Sequence, residues 1–156
     1  MRGLLPYALI ALVIFASVTT VKGVSMYKQR GLRNNNAGNI RHSGSNWLGK
    51  SPVQPDSAFV TFTTPEYGIR ALYKVLISYR NKHGLSTVRG IINRWAPPIE
   101  NNTDAYVKNV ARELNINPDT VLSLSDYPSL IASIIKHENG IQPYSIETIK
   151  KGVALA

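Results

Sequence analysis

The chain holds nine carboxylates and no cysteine, so its candidate chemistry is proton transfer by a carboxyl group rather than attack by a thiol. Most of the acids have a plain structural role. Glu66, Asp104, Asp119 and Glu147 fall in expected first turns, where the helix dipole favours them. Asp126 is a candidate cap, Asp56 sits in a turn beside Pro55, and Glu113 belongs on a solvated face paired with Lys or Arg. Glu100 and Glu138 have no such account.

Glu138 lies four residues after Ile134 and seven after Ile131, on the apolar face of an expected helix. There its charged form would lose hydration, which favours the protonated form and fits a general acid. The plainer reading is a helix-end side chain that reaches water. Glu100 stands in the rigid polar loop Trp95-Ala-Pro-Pro-Ile-Glu100-Asn-Asn-Thr103. It could contact a ligand as a second carboxylate, or bond backbone amides near the next helix. The three histidines, His42, His83 and His137, are far apart and fit no metal-ligand spacing. No metal and no cofactor are expected.

The elements that must position these groups are mostly helical. Thr64-Pro65-Glu66 supplies a cap, a first-turn proline and a first-turn acid for a helix to about His83, stopped by Gly84, with Ile69, Leu72, Tyr73, Leu76 and Tyr79 inside. A second helix spans about Thr87 to Trp95, burying Val88, Ile91, Ile92 and Trp95, and ends at Pro97-Pro98. Asn102 or Thr103 caps a third, with Tyr106, Val107, Val110 and Leu114 inside, and Asn117-Pro118 starts a short fourth around Val121 and Leu122. The Glu138 helix comes next, with Ser125 or Asp126 as cap and Asn139-Gly140 as a left-handed stop. Ser145 caps a last short helix over Ile146 and Ile149. Upstream, residues 31–52 are rich in Asn, Gly and Ser and read as turns with one short strand at Asn39 to Arg41. Ala58 to Phe62 alternates as a strand would.

Residues 4–21 form an uncharged apolar run behind Arg2 and before Lys22. The run matches either a secretory signal or a short transmembrane anchor. No convincing cleavage site follows it, which favours an uncleaved anchor. The expected organisation is a signal-anchor at 1–23, a basic linker at 24–33 and a single domain at 34–156. Eighteen basic against nine acidic residues give a formal charge of +9, suited to anionic polymers or membrane surfaces. The bases are scattered and not interleaved with aromatic residues, which disfavours nucleic acid as a partner.

Several stretches together resemble the virion-associated lysins of phages and prophages, a family that includes the lytic protein of enveloped double-stranded RNA phages. They are Arg33-Asn-Asn-Asn-Ala-Gly-Asn-Ile-Arg41, Trp47-Leu-Gly49, Phe59-Val-Thr-Phe62, Tyr67-Gly-Ile-Arg-Ala71, Arg94-Trp-Ala-Pro-Pro98, Glu100-Asn-Asn-Thr103 and Tyr106. This chain departs from the family in having Ala37 where proline is usual, which should loosen that loop. The resemblance implies an α+β fold, mainly α and lysozyme-like, with a small irregular β region and an N-terminal apolar helix. Because Glu138 follows the expected β region, the order would be circularly permuted.

The implied activity is cleavage of the β-1,4 bond between N-acetylmuramic acid and N-acetylglucosamine in peptidoglycan. Glu138 would be the general acid. If Glu100 is only structural, a single-acid lytic transglycosylase fits better than a two-carboxylate lysozyme. Asn36, Asn39, Tyr106 and Tyr144 are candidates to line the sugar groove, the alternative being that the asparagines only close turns and the tyrosines only pack. Arg41 could bind a stem-peptide carboxylate or cover the sheet. The catalytic domain would face the periplasm from the virion membrane or the bacterial inner membrane, beside other virion proteins, or be secreted after signal cleavage. The alternatives are an endopeptidase for peptide crosslinks, a noncatalytic wall-binding or virion structural module, and a membrane-anchored basic protein that binds packaged nucleic acid.

Overall fold

A computed structural model describes residues 28–99 and 101–156. Six α-helices follow in order: α1 (Arg30–Arg33), α2 (Pro65–His83), α3 (Val88–Trp95), α4 (Thr103–Leu114), α5 (Tyr127–Asn139) and α6 (Ile146–Ala154). Thr64, the expected cap of α2, precedes that helix without a side-chain cap bond, whereas three other starts are capped by side chains. Thr87 accepts from the Gly90 amide, Asn102 from Ala105 and Ser145 from Thr148, while Gly84 and Gly140 end α2 and α5 in the left-handed conformation. Asp126 precedes α5 without capping it through its side chain. Its carboxylate turns back to the Ser123 amide and hydroxyl, both at 2.7 Å, across a single 3-10 turn.

The helix α5 is central, touching α1, α2, α4 and α6. Tyr127, Leu130, Ile131, Ile134 and Ile135 on it are all fully buried and join Ile69, Leu72 and Leu76 of α2, Ile91 and Ile92 of α3, and Val107 and Val110 of α4. Each such side chain contributes roughly 1.5–3 kcal/mol of burial. Leu32 of α1 is part of the same core, so the folded unit includes the end of the stretch that reads as linker.

The fold class differs from the expected lysozyme-like α+β arrangement. Among the described residues there is no strand, only the isolated bridges Arg41 to Phe59, Lys50 to Phe62 and Thr87 to Val121. The described fold is all-α with an irregular Asn-rich segment laid over it, and a permuted lysozyme order has no sheet to rest on. Ala58 to Phe62 meets other backbone only at separate points, through the Val60 amide on the Ile40 carbonyl, the Phe62 amide on the Asn34 carbonyl, and the His42 and Ser51 amides on the Ala58 and Thr61 carbonyls. Side chains serve the rest. Asp56 accepts the Ala58 and Phe59 amides at 3.0 Å each, Gln54 brackets Thr61 through both its amide oxygen and nitrogen at 2.8 Å, and Asn36 holds the Val60 carbonyl at 2.7 Å. The backbone is satisfied without a ladder.

The short helix expected around Val121 and Leu122 is also absent. Leu122 is buried, and its amide donates to the Ser86 carbonyl at 2.7 Å, which holds this segment extended against the start of α3. The expected apolar helix over 4–21 lies outside the described residues, and none of the described helices is long and apolar enough to cross a membrane.

Candidate functional site

The end of α5 is tied to the Asn-rich segment by a long-range contact. The Asn139 amide donates to the Ala37 carbonyl at 2.8 Å and to the Ile135 carbonyl at 2.9 Å, in a buried position. Ala37 is itself 2% exposed, so this point of the loop is pinned without the proline usual in the resembled family. Gly31 allows the approach. A Cβ there would stand 2.6 Å from the Asn39 side-chain oxygen and 2.8 Å from that of Asn139. These contacts fix Glu138, one residue earlier, relative to Asn39.

Glu138 is half-buried, and three donors from three parts of the chain point at it. The Trp95 indole N–H at the end of α3 donates to Oε1 at 2.9 Å, and the Tyr106 hydroxyl of α4 donates to the same oxygen at 3.1 Å. The Asn39 amide donates to Oε2 at 3.4 Å. Oε1 is therefore occupied, and Oε2 is the oxygen with capacity to exchange a proton. The immediate neighbours of the carboxyl group are thus polar donors, whereas the sequence reading gave it an apolar face.

Each donor is held in turn. The Thr103 hydroxyl donates to the Ala96 carbonyl at 2.6 Å, closing the loop between α3 and α4 and fixing Trp95 relative to Tyr106. Tyr106 is 2% exposed, and its ring stacks on His137 at 3.4 Å between centroids and 13° between planes. Burial first, and then the adjacent Glu138 carboxylate, hold the Tyr106 hydroxyl above the ordinary phenol range. It stays a donor at any physiological pH. Asn39 has φ 51, a left-handed conformation that asparagine tolerates better than most residues.

Glu138 opens on a cleft of about 490 Å³, within the usual size of small-molecule sites. Its wall carries amides (Asn39, Asn101), aromatic rings (Trp47, Phe59, Tyr79, Trp95) and two charged side chains among the described residues, Arg41 and Glu138. Aromatic faces beside amide donors and acceptors suit a polyhydroxylated ligand, with rings packing on C–H faces and amides bonding hydroxyls.

The expected site residues separate accordingly. Asn39 and Arg41 line the cleft, and Tyr106 supports Glu138 from behind. Asn36 does neither. It is fully buried, donates to the Ile40 and Val60 carbonyls and accepts the Ile40 amide at 2.8 Å. Tyr144 packs against the main core, away from the cleft wall, and Glu100 lies outside the described residues. Trp95 reads from sequence only as an inner residue of α3. The available signal was its indole N–H, which requires an acceptor when the ring is buried at a helix end.

No protein-family model matches the chain. The chain is similar to Protein P5 of Pseudoalteromonas phage PM2, with 39% identity over 148 residues, covering 89% of this chain and 92% of that protein. Identity of that extent over nearly the whole of both chains establishes common descent, and the chain belongs to the family of the phage PM2 Protein P5.

Proposed function

We propose that this phage-family protein is a peptidoglycan-degrading lysin that cleaves the glycan bond between N-acetylmuramic acid and N-acetylglucosamine without adding water. The observation that carries this reading is Glu138 held by Trp95, Tyr106 and Asn39 on the wall of a cleft lined with amides and aromatic rings.

In the reaction, the protonated Glu138 gives its proton from Oε2 to the glycosidic oxygen. The bond from that oxygen to the muramoyl C1 breaks, and the leaving N-acetylglucosamine keeps the new 4-hydroxyl. Positive charge develops on the muramoyl ring, and the Glu138 carboxylate, steadied by Trp95 and Tyr106, lies beside it. Glu138 then takes the proton from the muramoyl 6-hydroxyl as that oxygen bonds to C1. The products are a free 4-hydroxyl end and a 1,6-anhydromuramoyl end, with Glu138 protonated again. One carboxyl group does both transfers, and the described cleft wall offers one.

In this reading the protein belongs to the virion, and its folded domain faces the periplasm, with the apolar run at 4–21 as its membrane attachment. Incubation with purified peptidoglycan and mass analysis of the fragments tests the reaction. Anhydromuramoyl ends support it. New free amino groups without new sugar ends would replace it with crosslink cleavage, and no new ends would reduce the protein to a wall-binding module.

A further inference from the structure

Arg41 stands apart from the other charged groups around the cleft. Its neighbour Arg30 is engaged by Asp56 through two bonds of 2.6 Å, and Arg41 has no carboxylate partner among the described residues. Its guanidinium rests 5.1 Å from the centroid of Phe59, so the ring steadies it without neutralising it. The residue is exposed, lines the cleft and is the only cation to do so among the described residues.

Ser43 and Trp47 line the same cleft. The Trp47 indole N–H is buried and has no acceptor among the described residues, so a donor stands unanswered within the wall to which Arg41 belongs. The chain places this group close to the chemistry. Asn39, which bonds Glu138, is two residues away, so the Cα atoms of Asn39 and Arg41 are at most about 7 Å apart. Arg41 and Glu138 thus line one cleft, a few residues' breadth apart.

We propose that Arg41 forms an anion subsite in the cleft that takes a carboxylate carried on the glycan, making the protein selective for muramic-acid-containing strands over uncharged chitin-like ones. The inference rests on the glycan reading of the cleft and names its specificity determinant. The carboxylate has two sources with one chemistry: the lactyl group of peptide-free muramic acid, or a carboxylate of the attached stem peptide. A guanidinium binds either through paired N–H donors.

The test measures binding to the full chain carrying Glu138→Gln, with and without Arg41→Gln. The probes are an N-acetylglucosamine oligomer, a peptide-free strand of alternating N-acetylglucosamine and N-acetylmuramic acid, and the same strand with stem peptides. Arg41→Gln is expected to weaken a carboxylate-bearing probe about tenfold or more, as loss of a charge-assisted bond does, and to leave the uncharged oligomer unchanged. Because the stem peptide's amide bond consumes the lactyl carboxylate, loss only on the second probe identifies the lactyl group, loss only on the third identifies the stem, and loss on both shows that the subsite takes either carboxylate. Arg41→Lys should retain part of the affinity, and added salt should shrink the difference. Equal losses on all three probes, no loss on any, or no binding of any probe overturns the subsite. The glycan reading fails on a separate result, a parent chain that leaves purified peptidoglycan with new free amino groups, or with no new ends, and without 1,6-anhydromuramoyl ends.

Discussion

Replacing Asn36 with alanine separates a structural from a substrate-binding role for a residue whose sequence context allowed both. In the folded chain its amide answers three backbone groups with no water access. The Ile40 carbonyl keeps a second partner, the Val60 amide at 2.9 Å. The Ile40 amide and the Val60 carbonyl have no other partner among the described residues. Two buried groups left unpaired cost roughly 1–3 kcal/mol each, about 2–6 kcal/mol together. At roughly 2–4 °C per kcal/mol for a chain of this size, the midpoint of thermal unfolding should fall by about 4–24 °C. Far-ultraviolet circular dichroism during heating measures it. Asn36→Asp should be no milder, since a carboxylate would face the two carbonyls that the amide now serves. An unchanged midpoint together with lost activity would refute the reasoning and return Asn36 to the substrate.

Two further outcomes follow from the same structure. Trp95→Phe keeps an aromatic ring in the cleft wall but removes the donor to Glu138 Oε1. A lost hydrogen bond to a charged group should lower the rate of peptidoglycan clearing by about 10- to 100-fold, and a rate within about twofold of the parent would show that the contact is idle. Asp56 is held well below the usual carboxylate range by Arg30 first, and then by the Ala58 amide, the Asn34 side chain and the Phe59 amide, against the opposing effect of burial. A depressed folded value means that its stabilisation is present above the ordinary carboxylate range of about 4 and is lost as pH falls below it. Urea unfolding at about pH 6 and about pH 3 should show a larger drop for the parent than for Asp56→Asn, and equal drops would contradict the role of the Arg30 pair.

The helical part of the fold was legible because it is written locally. Thr64-Pro65, Thr87, Asn102 and Ser145 mark helix starts and Gly84 and Gly140 mark stops, and the Ile, Leu and Val spacing gives the buried face of each helix. The segment before α2 misled because alternation in Ala58 to Phe62 is real, with Val60 and Phe62 buried, while its backbone is shared between isolated backbone partners such as Ile40 and Asn34 and the side chains of Asn36, Gln54 and Asp56. Periodicity records which face is buried and says nothing of what closes the hydrogen bonds. Glu138 was legible by elimination among the acids. Its supports were not, since Trp95, Tyr106 and Asn39 stand 43, 32 and 99 residues away along the chain and meet only after α3, α4 and α5 have packed.

The central claim is that one carboxyl group, that of Glu138, moves the proton that breaks the glycan strand. Glu138→Gln keeps the shape of the side chain and removes the transferable proton. The direct measurement is the yield of 1,6-anhydromuramoyl ends from purified peptidoglycan, with thermal unfolding recorded on the same samples. The parent chain should produce these ends and the variant none, at an unfolding midpoint within a few degrees of the parent's. A folded Glu138→Gln chain that produces them at the parent rate would contradict the account.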